Sequence, residues 1–393
     1  MIPRYNYDLY FKDFIYCLTK KIDFKTEFLR ALSKVIGIPP DRIILYASGR
    51  AAIFSILKRI EPGEVIVPAY CCPVIAQAVI EAGHRLCLVD SAPGQLNPSP
   101  QHFKDAISAK TRAIIVAHLF GFPVDITELI DICRKRSILL INDTASCLGA
   151  KIHGKNLESF GDLAILSFGI TGKGVTAGGG GAIVINNLAY KQILQNNHIN
   201  FVYGLETFCE LGIFWILAKS PVYRFFLAFV QKLVKADARI DKNIDLQKKI
   251  SILGLKLAIL QLERYHDTLQ KLLLIAERYK LAIKQRNDNF IILPSFPDCV
   301  EHPVYSRFPI ILSSDMDRAS FCFKLLNMGI DYSCPYQDRI EDIFRSKCVN
   351  SQQHFVFADI LRNKLVNIPL FSHMKESQIK KVETLLKTIN KDV

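Results

Sequence analysis

The sequence predicts an α/β protein with a mostly parallel central sheet covered by helices, followed by a smaller C-terminal α+β domain. Two observations carry that prediction. Short apolar runs alternate with helix-like segments through the first half of the chain, the order of repeated βα units, and the alternation stops after about residue 190. The runs at 43–47, 64–67, 85–89, 112–117, 138–141, 164–168 and 181–185 are almost wholly apolar, as strands buried on both faces must be. Between them, 51–60, 75–82, 100–107 and 126–135 carry helical patterning. A long helix is expected over 250–284. The resulting division is a large domain over 1–245 and a small α+β domain over 246–393.

Composition excludes several classes of protein. A chain of 393 residues, 50% hydrophobic and 22% charged, has enough apolar material for one large core and a smaller one, and is not disordered. Its 11 cysteines are irregularly spaced, with only Cys71-Cys72 adjacent, so neither a zinc pattern nor a secreted disulfide framework is indicated. No metal is expected, and a reducing cytoplasm is the simplest compartment. The first residues mix Arg4, Asp8, Lys12 and Asp13 with tyrosines, which is not the pattern of a signal peptide. The net charge of +13 is scattered in pairs such as Lys20-Lys21 and Lys380-Lys381, and no basic run is interleaved with aromatics. Nucleic acid is therefore not an expected partner.

The segment 201–234 is apolar and aromatic, contains Trp215, and is interrupted by Pro221. Neither half reaches the roughly 20 apolar residues of a spanning helix. A helical segment packed at a subunit interface is expected. The alternative is peripheral membrane contact, suggested by Lys219, Arg224, Lys232 and Lys235.

The chemistry-bearing residues fall at or just after predicted strand ends, where ligands sit in sheets of this kind. These are Ser48-Gly49-Arg50, Pro68-Ala69-Tyr70, His118, Asp143 and Ser167. The most informative stretch is Ser167-Phe168-Gly169-Ile170-Thr171-Gly172-Lys173, which leads into the glycine run Gly178 to Gly181. A lysine between small residues, with an acid about one βα unit upstream, is the pair a pyridoxal 5'-phosphate (PLP) enzyme needs. The amine makes a Schiff base and the carboxylate meets the pyridinium nitrogen. Lys173 and Asp143 fill those roles, against the alternatives of a solvated loop lysine and a helix N-cap. Amides at the helix start after Ser48, with the hydroxyls of Ser48 and Ser167 and the Arg50 guanidinium, suit a phosphate. His118 either touches the cofactor or braces its loop.

The strings Ser48-Gly49-Arg50-Ala51-Ala52, Val65-Ile66-Val67-Pro68-Ala69-Tyr70, Ala117-His118-Leu119-Phe120-Gly121, Asn142-Asp143-Thr144-Ala145, Ser159-Phe160-Gly161-Asp162 and Leu166-Ser167-Phe168 follow one another in order. Later come Gln261-Leu262-Glu263-Arg264, Ala276-Glu277-Arg278-Tyr279 and Asn367-Ile368-Pro369-Leu370. With these the chain resembles the DegT/DnrJ/StrS-type nucleotide-sugar aminotransferases, PLP enzymes of the aspartate-aminotransferase fold, known as fold type I.

The resemblance implies that Lys173 carries the Schiff base and moves the proton during transamination. Asp143 then pairs with the pyridine nitrogen. Ser146 falls where the family often has glutamine beside the ring, and Cys72 falls at the usual stacking position, two residues from Tyr70. The chain departs from the pattern by one extra residue between Phe168 and Lys173 and by Arg50 in place of a common threonine. It also reads Gln247-Lys248-Lys249-Ile250 where an Asn-x-Arg-Met string usually reaches the neighbouring subunit's site. The implied function is a homodimeric aminotransferase passing an amino group from glutamate to a keto sugar that is nucleotide-linked. The rivals are a PLP-dependent sugar dehydratase and a non-catalytic binding or regulatory protein on the same fold.

Overall fold

A computed structural model describes residues 1–170, 173–194, 199–219, 223, 225 and 249–389. Its centre is a sheet of seven strands: β1 (Ile43–Tyr46), β2 (Glu64–Pro68), β3 (Arg85–Val89), β4 (Thr111–Ala117), β5 (Leu139–Asp143), β8 (Leu163–Ser167) and β9 (Gly181–Ile185). Their spatial order is β1-β9-β8-β5-β4-β2-β3. Only β9 runs against its neighbours; the rest are parallel. Every apolar run expected to be a strand is one.

The helices of this half begin where local chemistry satisfies their free amides. After α1 (Phe11–Thr19), α2 (Phe24–Ile36) starts at Asp23, whose Oδ1 accepts the Thr26 N–H, and stops at Gly37 with φ 67°. Ser48 caps α3 (Gly49–Leu57) through the Ala51 N–H at 3.1 Å. Pro73 opens α4 (Pro73–Glu81) directly after Cys72. α5 (Pro100–Asp105) and α6 (Thr127–Lys135) complete the layers, and the short α7 (Lys191–Leu194) follows the sheet. Because β1, β2, β4, β5 and β8 are parallel, their carboxyl ends share one edge.

The expected helix over 250–284 is two helices, Ile252–Glu263 and Tyr265–Lys284, and Ile250–Ser251 is a strand. The break falls at Arg264 (φ −98°, ψ 2°), whose Nη2 holds the Asp8 carbonyl at 2.6 Å and Asp13 Oδ2 at 2.8 Å. Breaking there lets the first helix lie on α2 and the second on the C-terminal helix Glu376–Thr388.

Three smaller sheets surround the centre. β6 (Lys151–Ile152) and β7 (Lys155–Asn156) form a hairpin joined by β13 (Val300–His302). β10 (Phe201–Val202) pairs with β11 (Ile250–Ser251), and β12 (Ile291–Ile292), β14 (Phe308–Leu312) and β15 (Leu365–Ile368) form the C-terminal sheet. One apolar cluster runs from Val65, Ile115 and Ile141 of the central sheet to Phe308, Val366 and Leu385 of the C-terminal part. The two parts therefore share a core. The expected boundary at 245/246 lies outside the described residues.

Of the apolar segment 201–234, the structure describes 201–219, Tyr223 and Phe225; Pro221, Arg224 and Lys232 lie outside, as do Lys235, Gln247 and Lys248. α8 (Leu205–Lys219) buries Phe208, Leu211 and Phe214 against Tyr5, Tyr7 and Phe14, while Ile213 and Ile216, like Phe11 and Ile15 of α1, are exposed. Among the described residues no helix is long and apolar enough to cross a membrane.

Candidate active site

Asp143 is the last residue of β5, and its carboxylate is buried. Its Oδ1 accepts the Ala145 N–H at 3.1 Å, and among the described residues no cation lies within ion-pair distance. Burial therefore pushes its pKa above the usual carboxylate value, and the charge of the half-buried Lys173 only partly opposes that rise. Lys173 thus lies near enough for its charge to act on the Asp143 carboxylate. Thr171 and Gly172, which precede the lysine, are outside the described residues.

A second group forms at the start of α3. A Cβ on Gly49 would touch Ser167 Cβ at 3.3 Å, so Ser48, Gly49 and Ser167 adjoin. Gly181, paired with Ser167, has no space for a side chain: a Cβ there would lie 2.5 Å from the Gly49 nitrogen. The glycine run thereby lets β9 approach the helix start. Arg50 leans the other way, its Nη1 donating to Gln77 Oε1 of α4 at 3.2 Å.

His118 is wholly engaged by the fold. Its Nδ1 accepts the Val124 N–H at 2.9 Å, so Nε2 carries the proton and donates to Asn142 Oδ1. Burial pulls its pKa down to about 4, keeping the ring neutral. Both nitrogens are therefore used by the fold, as the bracing alternative expects, which leaves only the ring face for any contact with a cofactor. Ser146 is half-buried in the turn after Asp143, and half-buried Cys72 precedes α4. The Tyr70 hydroxyl is occupied by the Pro335 carbonyl at 3.1 Å. Its ring meets Tyr336, which stacks on Phe120, and both Phe120 (φ 56°) and Tyr336 (φ 53°) are in the left-handed region.

The sequence reading missed what holds the lysine loop. Gln261, quoted above only as part of a string, donates through Nε2 to the Thr176 carbonyl (2.8 Å) and accepts the Thr176 N–H through Oε1 (3.1 Å). Tyr265 lies under Gly174, its hydroxyl donating to the Leu148 carbonyl at 3.0 Å. The signal available was a glutamine within the mostly apolar run 252–262. The N-terminal arm was missed too: Tyr5 and Asp8 line a crevice with Lys173, Tyr265, Tyr305 and Ser306. Burial opposes ionisation of Asp8, but hydrogen bonds from His373 and Thr268 and the Arg264 charge outweigh it and hold its pKa at about 2.

A mostly parallel sheet of this order with one reversed strand is the fold type I class of PLP-dependent transferases. The chain belongs to the DegT/DnrJ/EryC1/StrS aminotransferase family, which it matches over residues 18–387. Spr1654 of Streptococcus pneumoniae, solved in its PLP form, has the same fold: TM-score 0.74 at 19% identity, over 98% of each chain. A dTDP-4-dehydro-2,3,6-trideoxy-D-glucose 4-aminotransferase of Saccharopolyspora spinosa is 32% identical over 160 residues, 40% of this chain and 40% of that protein. A dTDP-4-dehydro-2,6-dideoxy-D-glucose 3-dehydratase of the same organism is 30% identical over 156 residues, 39% of this chain and 33% of that protein. The match thus spans two fifths or less of these two curated relatives.

The residues present fit PLP. A buried carboxylate without a cationic partner is costly, and a protonated pyridine nitrogen supplies that partner. The approach of Gly181 to Gly49 leaves the first-turn amides of α3 beside two serine side chains, which is a phosphate-binding donor set.

Proposed function

We propose that this protein is a PLP-dependent aminotransferase that passes an amino group from glutamate to a keto sugar carried on a nucleotide, acting as a cytoplasmic homodimer. The observation that carries the reading is the buried, unpaired Asp143 carboxylate near Lys173. Bound PLP supplies an aldehyde that captures amines and a ring that takes up an electron pair.

The chain's own residues do the rest. Asp143 holds the proton on the ring nitrogen, and the amide ends of Gly49 and Arg50, with Ser48 and Ser167, hold the phosphate. The Lys173 amine anchors the cofactor and carries a proton to and from the carbon that bears the transferred nitrogen. Gln261 and Tyr265 fix the loop that presents that amine. Tyr5 and Asp8 line the crevice beside that amine. Ser146 and Cys72 belong to this reading as ring-side contacts. The net charge of +13 suits a diphosphate-bearing sugar.

The similarity to a 3-dehydratase keeps sugar dehydration as the second reading. One experiment separates the readings. Borohydride reduction of the PLP-loaded protein followed by peptide mapping should find the pyridoxyl group on Lys173. In a separate, unreduced sample, glutamate should yield 2-oxoglutarate. An adduct on Lys173 with no 2-oxoglutarate but with loss of water from the keto sugar selects the dehydratase, and no adduct on Lys173 overturns both.

A further inference from the structure

Outside the candidate active site, three ligand-type side chains converge from separate parts of the chain. Asp125 lies in the loop leading into α6, His153 in the turn of the β6–β7 hairpin, and Cys299 just before β13. One ligand atom from each lies within 4.8 Å of the other two. His153 Nε2 stands 2.7 Å from Asp125 Oδ2. Asp125 is oriented for this, because its Oδ1 is held by the Thr127 N–H (3.0 Å) and hydroxyl (2.7 Å), leaving Oδ2 to face the histidine and thiol. The backbone is locked too: the His153 N–H donates to the Cys299 carbonyl at 3.1 Å, and Val300 pairs with Ile152.

An ion pair alone does not account for this arrangement. An exposed Asp–His pair contributes little to stability and requires no thiol. His153 also occupies a left-handed position (φ 48°) followed by Gly154 (φ 72°), a two-residue turn that asparagine or glycine fills at least cost. We infer that Asp125, His153 and Cys299 form a three-ligand site for a divalent transition metal of the Zn²⁺ class, with water as fourth ligand. The metal staples the loop before α6 to the β6–β7 hairpin and to β13.

The chemistry selects the ion. A thiolate and an imidazole favour Zn²⁺-like ions over Mg²⁺ or Ca²⁺, which take oxygen ligands. Bond lengths of about 2.0–2.3 Å put tetrahedral ligands roughly 3–4 Å apart, so the half-exposed His153 ring need move only slightly. Each metal bound displaces the Cys299 thiol proton to solvent as the sulfur–metal bond forms.

Co²⁺ titration of the dialysed full chain tests this. One equivalent should bind, producing a sulfur-to-cobalt charge-transfer band that Zn²⁺ abolishes. Cys299→Ser should remove the band, His153→Gln should weaken binding at least tenfold, and Cys209→Ser, an exposed cysteine elsewhere, should change neither. Zn²⁺ should raise the thermal midpoint of the wild type and not of His153→Gln. No stoichiometric binding, or binding unaltered in both Cys299→Ser and His153→Gln, would overturn the inference.

Discussion

Gly174, one residue beyond Lys173, sits so close over Tyr265 that a Cβ on it would stand 2.1 Å from the phenolic oxygen. The lysine loop is thus seated on a side chain of the second long helix, and its height is set by the absence of one methyl group. Gly174→Ala should displace the loop and lower retention of the lysine-linked cofactor at least tenfold. Tyr265→Ala alone should cost about 3–5 kcal/mol of stability as a large-to-small core change. Because the two residues touch, the double variant should be less destabilised than the sum, measured by urea unfolding. Strict additivity would show that the contact does not seat the loop.

Asp143 separates stability from function. Its buried carboxylate has a raised pKa, so ionising it at neutral pH works against folding when nothing cationic is bound. Asp143→Asn should leave the thermal midpoint of the PLP-free protein unchanged or higher. Amino transfer should fall by about 10²-fold or more, since the ring nitrogen loses its anionic partner. A variant that is fully active would remove Asp143 from the site.

Glu158 gives a pH signature. It is fully buried, Oε1 accepts the Gly149 N–H at 2.8 Å, and Oε2 has no partner among the described residues. Burial pushes its pKa up to about 7 from an ordinary 4.5. A carboxyl with a raised folded-state pKa binds its proton more tightly when folded, so its stabilising effect is complete below about pH 4.5 and is lost as pH rises through 7. Glu158→Gln should therefore raise the thermal midpoint at pH 8 and change it little at pH 5. Equal shifts at the two pH values would contradict this account.

The exposed face of Phe11 and Ile15 on α1 and Ile213 and Ile216 on α8 is the described part of the apolar segment's surroundings. We expect a second copy of the chain to cover it. Ile213→Glu with Ile216→Glu should shift the dimer to monomer in analytical ultracentrifugation while far-UV circular dichroism is retained. Partition of the wild type onto anionic vesicles, lost in the same variant, would assign the face to a membrane instead.

The central sheet was legible because its signal is local. A strand buried on both faces must be apolar along its length, and 138–141 or 181–185 show that without reference to any other residue. The strand-end placement of Ser48, Asp143 and Ser167 was legible for the same reason. The break at Arg264 was not, because both flanking segments have good helical patterning and only the distant Asp8 and Asp13 give the arginine cause to end a turn there.

The amino-acid sequence by itself determined the α/β class and the mostly parallel sheet, which follow from periodicity and residue type within short windows. Tertiary structure alone decided how the side chains are held. Gln261 reaches Thr176 across 85 positions, His118 spends both nitrogens on Val124 and Asn142, and Asp125, His153 and Cys299 meet only where β13 joins the hairpin. Hydrogen bonds and ligand geometry depend on distances of about 3 Å between groups far apart in the chain, and no local pattern encodes such distances.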